Sequence, residues 1–398
     1  MSLRERIVVG FGLGCLAAGL LSGCGFRIEP DPEFMAGRAA PGERSGVTEP
    51  EPERVLSEPT AREPDVFTAV QKPRAEPMAV PEPAVLPDGD LARPVVIERL
   101  SVMAISELPQ VRANAIEGLS RAGVRAESVV ALALQDPNPG VRSVAASVVG
   151  RSGLIGLAPT LRVMLEDDSA FVRASAIGAL HALDADVDPT ELSGMLLGAE
   201  NPRMRSHAAF ILGEMGDQSA VPMLKQAWAT PISNATEIER RLVRLQIAEA
   251  LVKLGEQESI DAVRAALYPA RPEELEATAL AVQIIGQVRD RGSIDQLIYM
   301  SEAADGRVMP AEVRLAVAEA LARMGMTEGG FLADEYRAHE NDAIRAQAAV
   351  VYGRTGRSEH LPRLEELMRD SSELVRVAAA SGVLDLLSGG ATAGATAP

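Results

Sequence analysis

The chain has 398 residues, 47% of them apolar but only 3% aromatic, so its core must be built from Ala, Leu, Val and Ile. Those are the side chains of closely packed helices rather than of β-sandwiches, and the expected class is all-α. A formal net charge of −17 argues against nucleic acid as a partner, because such binders draw their affinity from Lys and Arg neutralising phosphates. The two cysteines, Cys15 and Cys24, both stand in the first 25 residues, which leaves the body without a disulfide or a thiol nucleophile. His181, His207, His339 and His360 have no metal-ligand spacing, and neither metal nor cofactor is expected.

At the N-terminus, Arg4 and Arg6 lead into an apolar run from Ile7 to Leu20, the order of a secretory signal. As a helix this run spans about 21 Å against a hydrocarbon core of about 30 Å, too short for a membrane crossing. The stretch Leu21-Ser22-Gly23-Cys24 resembles the lipobox of bacterial lipoproteins. That resemblance implies removal of residues 1–23 as a signal peptide, lipidation of Cys24, and display on the periplasmic or outer side of a membrane. Gly25 in place of an aspartate points to the outer membrane where the organism has two. Two or more acyl chains would make the anchor stable, since one binds only marginally.

Residues 24–93 form the next segment, where Pro30, Pro41, Pro50, Pro52, Pro64, Pro77, Pro81 and Pro87 stand among Glu, Arg and Ala with no apolar period. Such a composition cannot bury enough surface to offset its ordering entropy, so a disordered tether is expected, able to reach about 200 Å when stretched. The Gly/Ala/Thr-rich residues 388–398 are expected to be a disordered tail.

Between them, residues 94–387 repeat. An apolar-Arg step starts units at Val111, Val141, Val172, Met204, Val243, Ala277, Val313, Ile344 and Val375, nine units spaced by 30 to 39 residues, with Thr278 the one departure from arginine. Four residues on comes a small or branched side chain such as Ala115 or Ala145, and four further a larger one such as Leu119 or Val149, so each unit carries an amphipathic helix. Twelve residues past the start stands glycine in six units (Gly123, Gly153, Gly216, Gly255, Gly325, Gly356), suited to a left-handed C-terminal cap. Pro159, Pro222 and Pro362 then mark the first turn of a second helix, and Asp, Asn and Ser close the unit in a short turn.

This arrangement resembles HEAT repeats in their short bacterial form and is similar to the repeats of bilin-lyase-type proteins. The resemblance implies an α-α superhelix with the Val-Arg helix on the concave face, an open arc about 90 Å long at roughly 10 Å per layer. It also implies that the arginines bridge neighbouring repeats rather than bind ligand. On the concave face His207, Phe210, Gln246, Leu280 and Gln283 are the candidate partner-binding residues, in a shallow groove with few charges that suits a protein or peptide. Trp228, at helical spacing from Val221 and Leu224, is expected in the core.

The expected function is therefore that of a membrane-anchored, monomeric, non-catalytic scaffold for a protein partner in the cell envelope. Two alternatives stay open: a HEAT-like enzyme of the bilin-lyase type, and a purely structural spacer.

Overall fold

The computed structural model describes residues 92–302 and 308–393, with side chains through Ser388. The expected signal peptide, Cys24 and nearly all of the tether lie outside the described residues. Among the described residues there are eighteen α-helices, several short 3-10 turns and no strand.

Nine helices carry the apolar-Arg steps: α2 (Pro109–Leu119), α4 (Pro139–Ser152), α6 (Ala170–Ala182), α8 (Pro202–Met215), α10 (Glu237–Lys253), α12 (Leu275–Val288), α14 (Ala311–Arg323), α16 (Asp342–Thr355) and α18 (Glu373–Ala393). Nine shorter ones alternate with them: α1 (Ala92–Met103), α3 (Glu127–Ala133), α5 (Ala158–Val163), α7 (Thr190–Gly198), α9 (Val221–Ala229), α11 (Ile260–Ala265), α13 (Ile294–Ser301), α15 (Gly330–Tyr336) and α17 (Leu361–Leu367). Each even-numbered helix packs along its even-numbered neighbours and forms an inner layer, while the odd-numbered helices lie outside it.

The inner layer does not end. Helix α18 packs against both α2 and α1, so the superhelix closes into a ring and is not the open arc expected from repeat number alone. A single buried apolar cluster runs from Ala92–Leu180 across this seam to Leu315–Leu386. The physical reason lies in α1, which precedes the first unit read from the sequence. It occupies the place of the outer helix that α18 lacks, and its Val96, Ile97 and Leu100 are at most 9% exposed. Burying each contributes about 1.5–3 kcal/mol. Helix α18 runs to Ala393, beyond Leu387 where the repeat array was expected to end.

The recurrent arginine ties several layers to the next. Arg142 Nε and Nη2 donate to both carboxylate oxygens of Asp167 at 2.9 and 2.8 Å, while Nη1 donates to the Asp136 carbonyl at 2.9 Å. Arg112 makes the same fork with Asp136, and Arg345 with Asp370. Asp136, Asp167 and Asp370 each also accept the backbone N–H two residues on, so one carboxylate closes its own turn and clamps the preceding repeat. Burial would raise these carboxyls, but the guanidinium and the N–H outweigh it and hold all three below the ordinary carboxylate range. Arg173 takes Glu191 instead, and buried Arg205 has only carbonyls, those of Ala199 and Thr230. The bridging role expected of the arginines is seen at Arg112, Arg142 and Arg345, whereas Arg244 is exposed and Arg376 bonds only within its own turn and helix.

Helix ends follow the sequence signals. Asn138, Asn201 and Asn341 cap α4, α8 and α16 through their side chains, and Thr236 with Glu239 forms a capping box on α10. The six glycines expected at C-caps all have positive φ, and of the equivalent residues in the three units without glycine, Asp184 and Arg289 adopt the same left-handed conformation at φ 54°, while Leu387 continues the last helix. Trp228 is half-buried against the core.

Glycine also sets how closely inner helices approach. Gly150, Gly213, Gly286 and Gly353 stand at one register in every second unit. A Cβ on them would lie 2.9, 2.8, 2.7 and 2.5 Å from the Cα of Ala179, Ala250, Ala320 and Gly382 respectively. The pairs α4/α6, α8/α10, α12/α14 and α16/α18 therefore touch backbone to backbone, and the joints between pairs are looser.

Candidate functional site

Opposite the outer layer, each inner helix turns one stripe toward the middle of the ring. Counted from the apolar residue of the apolar-Arg step, it comprises the residue before and those three, six and ten after, the spacing of a single helical face. All five candidate residues fall on this stripe, on the consecutive helices α8, α10 and α12. The structure thus brings them to one side of the molecule, but not as an exposed set. His207 is 0% exposed, Gln246 1% and Leu280 5%, whereas Phe210 and Gln283 are half-buried. The neighbouring inner helix supplies this cover, as Phe171 and Ser175 of α6 do for His207.

His207 is tied into a polar chain between three helices. Its Nε2 lies 3.1 Å from Ser175 Oγ and 3.2 Å from the Phe171 carbonyl, Ser175 Oγ is 2.7 Å from Ser143 Oγ, and the imidazole packs on the Phe171 ring. Burial pushes its pKa down to about 4 against the opposing effect of the Phe171 carbonyl, so the ring is neutral at pH 7 and joins helices rather than moving protons. Its Nδ1 has no hydrogen-bond partner. Gln246 donates to Glu249, which pairs with Lys253, and Lys253 pairs in turn with Glu214 at 2.6 Å and lies 5.3 Å above the Phe210 ring. Burial would lower the lysine, but Glu249 and Glu214 outweigh it and keep the ammonium charged.

The expected scarcity of charge on this face does not hold. Buried Glu319 pairs with Arg323 at 2.6 Å and approaches Arg354 at 3.5 Å, Arg354 pairs with Asp385 at 3.2 Å, and Asp385 meets Arg121 across the seam. Arg151 joins Glu117 at 2.5 Å. Burial would raise Glu319, yet Arg323 and Arg354 hold its carboxyl below the ordinary range. A signal for this network was present: an acid six residues into the unit recurs as Glu117, Glu249 and Glu319, with a base four further on in Arg121, Lys253 and Arg323. Glu276, at the turn end of the stripe, is the outlier. Burial pushes it up to about 7, the nearby Glu239 adds to this, and Arg203 offsets only part.

The outer layer differs. Val102, Leu132 and Val163 occupy one register on the successive outer helices α1, α3 and α5 and are 56%, 68% and 74% exposed. Ile105, Leu108, Val124 and Ile155 are exposed in the same three repeats. Elsewhere on this layer a shallow cleft of about 400 Å³ between α15 and α17 is lined by Asp334, Arg337, Pro362, Arg363 and Glu366. Its charges pair across it, Arg363 with Asp334 and Arg337 with Glu366. Among the described residues, no group of His, Cys, Asp and Glu is arranged to hold a metal ion, and no helix is long and apolar enough to cross a membrane.

No curated protein matches the chain. Among solved structures, it is similar to the complex of CpcE and CpcF of phycocyanin lyase from Nostoc sp. PCC7120, at 18% identity and TM-score 0.35 over 65% of this chain and 94% of that one. It is also similar to human deoxyhypusine hydroxylase in complex with glycerol, at 17% identity and TM-score 0.33 over 75% and 99%. An engineered protein matches at 14% identity and TM-score 0.30 over 76% and 92%. Residues 94–185 and 189–280 match the model of HEAT repeats.

Proposed function

We propose that this chain is a membrane-anchored lipoprotein whose ring of HEAT repeats is a docking scaffold for another protein in the cell envelope. The anchoring half rests on the Leu21–Cys24 stretch of the sequence. The docking half rests on one observation: α1, α3 and α5 leave a run of apolar side chains uncovered on the outside. Exposed apolar clusters of this kind mark protein interaction sites. The partner therefore docks on the outer helices of the first repeats, not in the ring interior, and presents an apolar face spanning about three helix layers at roughly 10 Å each.

The test is crosslinking and affinity purification of the full chain from native envelopes, comparing it with the Leu132→Asp/Val163→Asp variant after circular dichroism has shown equal helicity. Proteins recovered with the parent and lost with the variant support the reading; identical recoveries sink it. For the anchor, Cys24→Ala moves the protein from the membrane to the soluble fraction. A variant that stays in the membrane removes that half.

A further inference from the structure

The ring is completed by a repeat whose two helices come from opposite ends of the described chain. In the eight repeats that start from α2 to α16, each inner helix is joined to its outer helix by a short connection, so their separation is limited by covalent linkage. The ninth pair, α18 with α1, has no such link. We propose that α1 is a releasable clasp, and that the ring opens at the α18/α2 seam when α1 is drawn off.

Three features support this. First, the hold of α1 is short: a twelve-residue helix seated by Ala92, Val96, Ile97 and Leu100, with the Ser106 hydroxyl donating to Glu373 at 2.6 Å and Arg93 Nη2 to the Arg121 carbonyl at 2.8 Å. Second, the seam beneath it is not a backbone-close joint. Gly118 of α2 faces the Ser381 side chain of α18 and the Leu100 methyl of α1, so the clasp residue is itself part of the wedge that fills the joint. Third, the preceding polypeptide enters at the N-terminal end of α1, so a pull on it, or a competitor for it, peels the clasp from its tip one turn at a time. Release leaves α18 without an outer helix and turns Glu117, Arg121 and Asp385 of the inner stripe toward solvent. The opening is local because the joints from α4 round to α18 keep both of their layers.

Hydrogen exchange of the full chain, read by mass spectrometry, tests this directly. The amides of α1 are expected to exchange at least tenfold faster than those of α6 and α8. Leu100→Asp is expected to speed exchange in α1, α2 and α18 a further tenfold while α6 to α14 stay unchanged, with a larger radius of gyration in solution scattering. A disulfide formed by Gly118→Cys with Ser381→Cys, whose Cβ atoms start 3.1 Å apart and have to part by a few tenths of an ångström to reach the usual range of about 3.5–4.5 Å, is expected to restore the parent radius to the Leu100→Asp chain. The proposal is overturned if α1 exchanges as slowly as α6, if Leu100→Asp speeds exchange all round the ring, or if the disulfide leaves the radius enlarged.

Discussion

The hydroxyl of Ser106 donates to the Glu373 carboxylate at 2.6 Å although 267 positions separate the two residues in sequence. One residue lies in the turn before α2 and the other at the start of α18, and their contact is the simplest statement of closure. It places the first turn of the repeat array against the last, where an open array would expose both to water.

The arginine ladder makes interlayer contacts that a single substitution can remove. Arg142→Ala deletes a bidentate, partly buried pair and a carbonyl bond, leaving Asp167 with only its turn N–H and the more distant charge of Arg173. Chemical denaturation is expected to show a loss of about 2–3 kcal/mol. Arg142→Lys should recover less than half, because an ammonium cannot make the fork. A loss below about 0.5 kcal/mol, the scale of an exposed pair, would contradict the ladder's role.

Acid is expected to weaken the fold in two stages. An unfolded histidine titrates near pH 6.5 but His207 near about 4, so the unfolded chain takes the proton first and stability falls as pH drops through that window, by about 3 kcal/mol in all. His207→Gln should flatten the dependence between those limits. Below about pH 4 the depressed carboxyls of Asp136, Asp167 and Asp370 lose their contribution as they protonate. Denaturation midpoints measured from pH 7 to pH 3 on both proteins show whether the first stage belongs to His207.

Glu276 runs the other way. Its folded pKa of about 7 lies above an unfolded value of about 4.3, so its contribution is complete at low pH and lost as pH rises through 7. Glu276→Gln is expected to stabilise the protein at pH 8 by about 1–2 kcal/mol and to change little at pH 4.5. Equal effects at both pH values would show that burial of the charge is not the cause.

Two C-caps are strained where glycine would not be. Asp184→Gly and Arg289→Gly, both at φ 54°, should each raise stability by about 0.5–1 kcal/mol, the arginine more than the aspartate. Gly216→Ala, at φ 73°, should cost about 1 kcal/mol. Thermal midpoints that move the opposite way would remove the strain argument.

Gly213→Ala sets helix propensity against space. The gain of about 1 kcal/mol from replacing a helical glycine is outweighed by a Cβ placed 2.8 Å from Ala250 Cα, an overlap costing about 1–3 kcal/mol. Net destabilisation is expected. Gly194→Ala on α7, with nothing within 4 Å, should stabilise by about 0.5–1 kcal/mol and serves as the control.

Much of the inner layer was legible because the units share local instructions: an apolar-Arg start in eight, small residues at steps of four, glycine at position twelve in six, and in three a proline to open the next helix. Even the stripe holding His207, Phe210, Gln246, Leu280 and Gln283 follows from period alone. Its burial does not, since periodicity says which way a side chain points and not how many neighbours cover it. The pairing of α1 with α18 was hidden for a related reason. Segment 92–103 lies before the first unit read from the repeat, and although it opens on Ala92-Arg93, nothing in its own sequence names a partner almost three hundred residues away. The exposed run Val102, Leu132, Val163 was visible only once outer helices could be told from inner ones.

The close pairing of inner helices two by two has an arithmetic consequence. Nine is odd, so a pattern that couples α4 with α6, α8 with α10, α12 with α14 and α16 with α18 leaves α2 a bachelor, bordered on either side by the weaker kind of joint. Adding a single unit would give α2 a partner and losing one would break a pair, so only changes in length by pairs keep this alternation as it stands.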